Sequence, residues 1–203
     1  DLPLTTSRPS PKAYHPELYP AAVERTLSHD ELAALRFGAK KMRATINDVM
    51  LRDLFLTVDQ WNKDHGDRRP IRLAMAVNMR RAQDVLPATN VVSMCFLDRK
   101  DKELDDHAEL LKGITRETRY IKSHHLGYAL IYVIALLGKL KGGVNWLFTP
   151  RNPWQCLSTA VLSNLGEPLK NAPLPRDTQG QLVAGGLTLE SLELLPPVRP
   201  KTS

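Results

Sequence analysis

The sequence predicts an α/β fold, a mixed sheet with helices packed on it, and three observations carry that prediction. Ser28 with Glu31, and Thr45 with Asp48, form two helix-start signals in which each side chain satisfies the other residue's free backbone N–H. Residues 71–80 alternate apolar and polar side chains, the pattern of a strand with one buried face. Residues 90–97 and 157–162 are short apolar runs of the kind that fill the interior of a sheet.

The elements follow in chain order. Residues 1–27 hold Pro3, Pro9, Pro11, Pro16 and Pro20 in a polar, aperiodic stretch, expected to be an extended linker. After the Ser28 cap, Leu32, Leu35 and Phe37 predict a helix of about a dozen residues. After the Thr45 cap, Ile46, Val49, Met50, Leu54, Phe55, Val58 and Trp61 recur at three- and four-residue spacing, which predicts a long amphipathic helix. Asp64-His65-Gly66-Asp67 ends it with turn chemistry.

In the strand that follows, Ile71, Leu73, Met75, Val77 and Met79 form the buried face. A polar loop over 81–89 leads to the run 90–97, expected to be a central strand covered on both faces. Leu104, His107, Leu110, Leu111, Ile114, Thr118 and Ile121 predict a second amphipathic helix. Residues 126–140 then read as a mostly apolar, buried helix ended by Gly142-Gly143. A loop with two tryptophans precedes the short buried strand 157–162, and residues 182–195 are expected to add one or two strands. Residues 196–203 form a proline-rich tail.

Composition bounds the function. The 203 residues are 42% apolar and 25% charged, ordinary for a globular domain with its own core. The formal charge of +6 is spread from Arg25 to Arg199 without a basic run. No helix-turn-helix, zinc or single-strand-binding signature accompanies it, so no nucleic-acid partner is expected. Cys95 and Cys156 each sit inside an apolar stretch as small core residues and show no metal spacing, which favours a reducing, cytoplasmic setting. The most apolar run, 126–137, falls short of the roughly 20 residues of a membrane span. Asp1 stands where an initiating methionine would, so a processed, trimmed or incompletely described product is expected.

Three landmarks share an order that resembles a known superfamily. Ala44-Thr45-Ile46-Asn47-Asp48 is similar to the Ala-Thr-x-Asn-Asp helix start of non-ribosomal-peptide condensation domains and of wax-ester and diacylglycerol synthases. Val77-Asn78-Met79-Arg80 resembles their Pro-Val-Asn-x-Arg strand, and Asn90-Val91-Val92-Ser93 stands where they carry a Gly-Asn strand start. Ser163-Asn164-Leu165-Gly166 resembles their Ser-Asn-x-Gly strand end. Together these span residues 28–195 and resemble the C-terminal subdomain of the chloramphenicol-acetyltransferase-like fold.

The resemblance implies an acyltransferase that moves an acyl group from a coenzyme A or phosphopantetheine thioester, the latter on an acyl carrier protein, to a hydroxyl or amine acceptor. The co-substrate thioester passes through rather than staying bound, and no resident cofactor is implied. In that superfamily the catalytic base is the second histidine of a His-His-x-x-x-Asp motif in the N-terminal half, which this chain is expected to need as its partner. The His124-His125 pair has Ala129 where the Asp belongs and lies after the helix start rather than before it, so the chain by itself is expected to be inactive and no catalytic residue is assigned. Asn47, Asp48, Asn90, Asn164 and Gly166 are candidates for shaping a substrate tunnel or for structure alone, and Ser93 or Ser163 for donating to an oxyanion. Arg80 is either a structural ion-pair partner or a contact for phosphates. Asp105-Asp106-His107 is not a metal set, because adjacent carboxylates point to different helix faces. A non-catalytic module of the same fold, its apolar 126–137 run exposed for a partner, is the alternative.

Overall fold

The computed structural model describes residues 23–66, 68–80, 92–143, 157–166, 174–178 and 180–191. Helix α1, His29–Lys41, starts on the Ser28–Glu31 capping box, with Ser28 N donating to Glu31 Oε2 at 2.8 Å and Glu31 N to Ser28 Oγ at 3.2 Å. Those two backbone donations hold the Glu31 carboxyl below its ordinary pKa. Helix α2, Ile46–Asp64, starts on the Thr45–Asp48 box as the spacing requires. It ends at His65, whose Nδ1 lies 2.7 Å from the Trp61 carbonyl and whose ring stacks on Trp61.

Strands β1, Ile71–Asn78, and β2, Val92–Arg99, pair antiparallel from Ile71 opposite Arg99 to Asn78 opposite Val92. A 3-10 turn at Asp101–Glu103 leads into helix α3, His107–Ser123, capped by Asp106, whose carboxylate accepts from the N–H groups of Ala108 and Glu109. Those donations hold the Asp106 carboxyl below the usual carboxylate range. Helix α4, Gly127–Gly138, follows a sharp bend, and the two helices differ in direction by 57°. Strand β3, Ala160–Leu162, returns parallel to β1, pairing Leu73 with Ala160 and Met75 with Leu162. A small antiparallel ribbon of β4, Val183–Ala184, and β5, Leu187–Thr188, supplies the strands expected after 182.

The sheet is therefore mixed, ordered β2-β1-β3, and helices pack on it, which is the α/β class the sequence predicts. Its register puts Ile71, Leu73, Met75 and Val77 on the same face as Ser93, Cys95, Leu97 and Arg99. Against that face pack Leu51, Phe55 and Val58 of α2 and Leu110 and Ile114 of α3, forming the main core. Phe55, Leu51, Leu73, Leu97 and Ile114 are fully buried, and each stabilises the fold by about 1.5–3 kcal/mol through burial alone. A second cluster of Ala39, Val49 and Leu111 fixes α1 to the outer sides of α2 and α3.

Two expectations need correction. Among the described residues the apolar run that begins at 90 does not take the central place: β1 does, and β2, with alternating burial, lies at an edge of the described sheet. On the second face of β2, Met94 and Phe96 are only partly buried. Arg72 reaches across the ladder to Asp98 in a two-pronged ion pair at 2.7 and 2.9 Å, and its guanidinium lies 5.9 Å from the Phe96 ring centre. Residue 92, at the strand's start, remains half exposed. The 126–140 segment is a helix but not a buried one. Only Gly127 of α4 is buried, and Tyr132, Val133 and Leu136 face outward.

The remaining expectations divide by what is described. Residues 23–28 run into α1 without helix or strand, and residues 1–22 and 192–203 lie outside the described residues. Cys95 is a buried core residue whose thiol is pushed up by burial, far from the activated thiolate a nucleophile needs, while Cys156 lies outside the described residues. Among the described residues no single helix is long and apolar enough to cross a membrane, and no cluster of three metal-ligating side chains occurs.

Candidate functional site

The first and third landmarks, 117 residues apart in sequence, meet in space. Asn164 follows β3 and donates from Nδ2 to Asn47 Oδ1 at 2.6 Å, at the start of α2. The Asn164 Oδ1 in turn accepts the Gly166 N–H at 2.8 Å, closing a small turn. Gly166 has φ 64°, the left-handed region where a Cβ is disfavoured, which is why a glycine stands there. Ser163 lies exposed between β3 and this turn. The asparagine pair thus ties the end of the parallel strand to the head of the longest helix.

Asp48, next to Asn47, points the other way. It is 1% exposed, and its carboxylate is fully engaged: Oδ2 accepts from Thr45 N and Thr45 Oγ1, both at 2.8 Å, and Oδ1 accepts from Thr118 Oγ1 at 2.6 Å. Thr118 is itself 3% exposed on α3. Asp48 therefore clamps α2 to α3 and has no face left for a substrate. Thr118 was legible in the sequence only as part of an apolar face, although a threonine there needs a hydroxyl partner once buried.

Ser93 and Arg80 stand apart from that cluster. Ser93 faces the helix layer opposite Val77, is 4% exposed, and its Oγ has no hydrogen-bond partner among the described residues. A buried unsatisfied hydroxyl costs about 1–3 kcal/mol. Ser93→Ala is expected to raise the unfolding free energy by about 1 kcal/mol, read by urea denaturation; a loss of stability instead would mean that the hydroxyl has a partner. Asn90 lies outside the described residues.

Arg80 lies just past the end of β1, where its backbone N–H is held by Asn78 Oδ1 at 3.0 Å. There it lines an open groove of about 720 Å³ between the end of β1 and the bend from α3 to α4. Lys122, His125, Tyr128 and Tyr132 line the same groove, none of them singled out by sequence as a site. His125 adopts φ 51°, an uncommon conformation for a residue with a Cβ, and so sets the bend. Gly127 lets α4 start close against β1, since a Cβ there would collide with Met79 Sδ. His124, its neighbour, instead packs on the Tyr120 ring with Nδ1 3.1 Å from the Tyr120 carbonyl.

The two histidines therefore separate, one against its own helix and one into the groove. The only signal in the sequence for this is Gly127 two residues after the polar His124-His125 pair, a break that stops one helix and starts another. The described residues thus offer two places of interest, the Asn47–Asn164 junction and the basic groove at Arg80. Comparison with protein-family models, with curated proteins and with solved structures finds no match.

Proposed function

We propose that this chain is the C-terminal subdomain of a chloramphenicol-acetyltransferase-like acyltransferase, transferring an acyl group from a coenzyme A or carrier-protein thioester to a hydroxyl or amine. The observation that carries the reading is the Asn47–Asn164 hydrogen bond, which makes one structural unit of two motifs whose resemblance to that superfamily was independent in sequence. Support also comes from β1, which occupies the sheet centre and delivers Arg80 at its end, as a strand of the Val-Asn-x-Arg type must if its arginine is to meet a phosphate. The attacking hydroxyl or amine needs a general base within about 3 Å, and that base belongs to the other half of the enzyme.

The test is made on the intact gene product. A His-His-x-x-x-Asp motif encoded upstream of Asp1, with substitution of its second histidine lowering thioester turnover by about 10²-fold or more, is the expected result. An intact product without that motif and without turnover would sink the proposal. A non-catalytic binding module of the same fold is the second reading. The outward apolar surface of α4 favours it, and an intact product of this fold that shows no thioester turnover would select it.

A further inference from the structure

The groove at the α3–α4 bend combines two chemistries that one ligand could satisfy together. Arg80, Lys122 and His125 bring basic side chains to it from the end of β1 and from the bend. Helix α4 begins there without a side-chain cap, so the positive end of its dipole adds to the same sign. The opposite wall is aromatic and aliphatic, with Tyr128 and Tyr132, and their hydroxyl-bearing rings lie 6.2 Å apart.

From that wall an apolar stripe leaves the groove along α4. Tyr128, Tyr132 and Leu136 recur at four-residue spacing, which places them on one side of the helix over a length of about 12 Å. Tyr132 is 69% and Leu136 64% exposed, values at odds with an all-apolar helix unless something covers it. The left-handed backbone at His125 holds the imidazole at the junction of the basic and apolar parts.

We propose that the groove is a binding site for a single-chain amphipathic anion, with its carboxylate or phosphate head among Arg80, Lys122 and His125 and its alkyl chain along Tyr128, Tyr132 and Leu136. The basic groups converge on one concavity instead of spreading over a plane, which fits one molecule rather than a bilayer surface. The inference does not rest on the acyltransferase reading, since it requires neither a thioester nor an upstream segment.

Isothermal titration of the full chain with monomeric dodecyl phosphate and with dodecanoate tests it. Saturable binding at one site is expected, with dodecanol and inorganic phosphate each at least about tenfold weaker. Lys122→Glu and Tyr132→Asp, both at exposed positions, should each weaken dodecyl phosphate by about tenfold with the circular dichroism spectrum unchanged. His125→Gly removes the imidazole while relieving the left-handed backbone, so it should lose affinity without losing thermal stability. Equal binding of dodecanol and dodecyl phosphate, affinity unchanged in both the Lys122 and the Tyr132 variant, or binding confined to anionic phospholipid vesicles would each overturn the proposal.

Discussion

Asp48→Ala is expected to lower the unfolding free energy by about 3 kcal/mol, a large part of the 5–15 kcal/mol that holds a typical domain together. The loss has two independent sources. The capping box at the head of α2 loses the carboxylate that accepts the Thr45 N–H, a change worth about 1 kcal/mol at a helix start. The Thr118 hydroxyl, buried on α3, loses its 2.6 Å carboxylate acceptor and keeps only the longer bond to the Thr115 carbonyl at 3.3 Å, and losing a hydrogen bond to a charged group costs about 1.5–3 kcal/mol more.

The two sources separate experimentally. Thr118→Val removes the hydroxyl and nearly preserves the volume, so the pair Asp48→Ala with Thr118→Val should cost less than the sum of the singles. Asp48→Asn keeps an acceptor for one of the partners and should fall between wild type and alanine. Urea unfolding followed by circular dichroism measures the four variants and the wild type. A loss below about 1 kcal/mol in Asp48→Ala, or strict additivity in the cycle, would show that the carboxylate does not join the two helices.

Asp48 also marks where the sequence was readable and where it was not. Its role as a helix cap is a matter of residues three apart, and both capping boxes stand in the structure at the predicted places. Its bond to Thr118 crosses 70 positions, and nothing local announces it. The same division explains β2. An apolar run says that both faces of a strand avoid water, but not whether a helix layer or an Arg72 guanidinium over Phe96 does the covering, so the run suited a centre and an edge equally.

For α4 the pattern was right and the inference from it wrong. An apolar helix was expected inside, yet its outer side is exposed, because hydropathy reports what a surface prefers and not what is present to meet it. In the candidate site the order of the landmarks was visible, while the Asn47–Asn164 contact required β3 to pair in parallel with β1. The basic groove was invisible for a related reason. Arg80 sits on a strand end and Lys122 and His125 at a helix bend, and only the fold of β1 against α4 brings them together.

Phe55→Ala should be the most damaging single change in the core, with an expected loss of about 3–5 kcal/mol. The ring is fully buried among Leu73, Leu97 and Ile114, where α2, α3 and the sheet meet, so the surroundings can collapse only in part around the space it leaves. It also supports a charge. The Arg99 guanidinium lies 5.6 Å from the ring centre, donates to the Asp98 carbonyl at 2.6 Å and reaches Glu117 Oε2 at 2.8 Å. Arg99 is only 8% exposed, so the ring face substitutes for water on a cation that has little of it.

If Phe55→Ala leaves too little folded protein to measure, Phe55→Leu reports the same contact by keeping the volume mostly filled and removing the aromatic face. A double-mutant cycle of Phe55→Leu with Arg99→Met, a straight apolar chain in place of the cation, should then give a coupling of about 1 kcal/mol. Coupling near zero would assign the whole role of Phe55 to packing and leave Glu117 and the Asp98 carbonyl as the groups that hold Arg99 in the core.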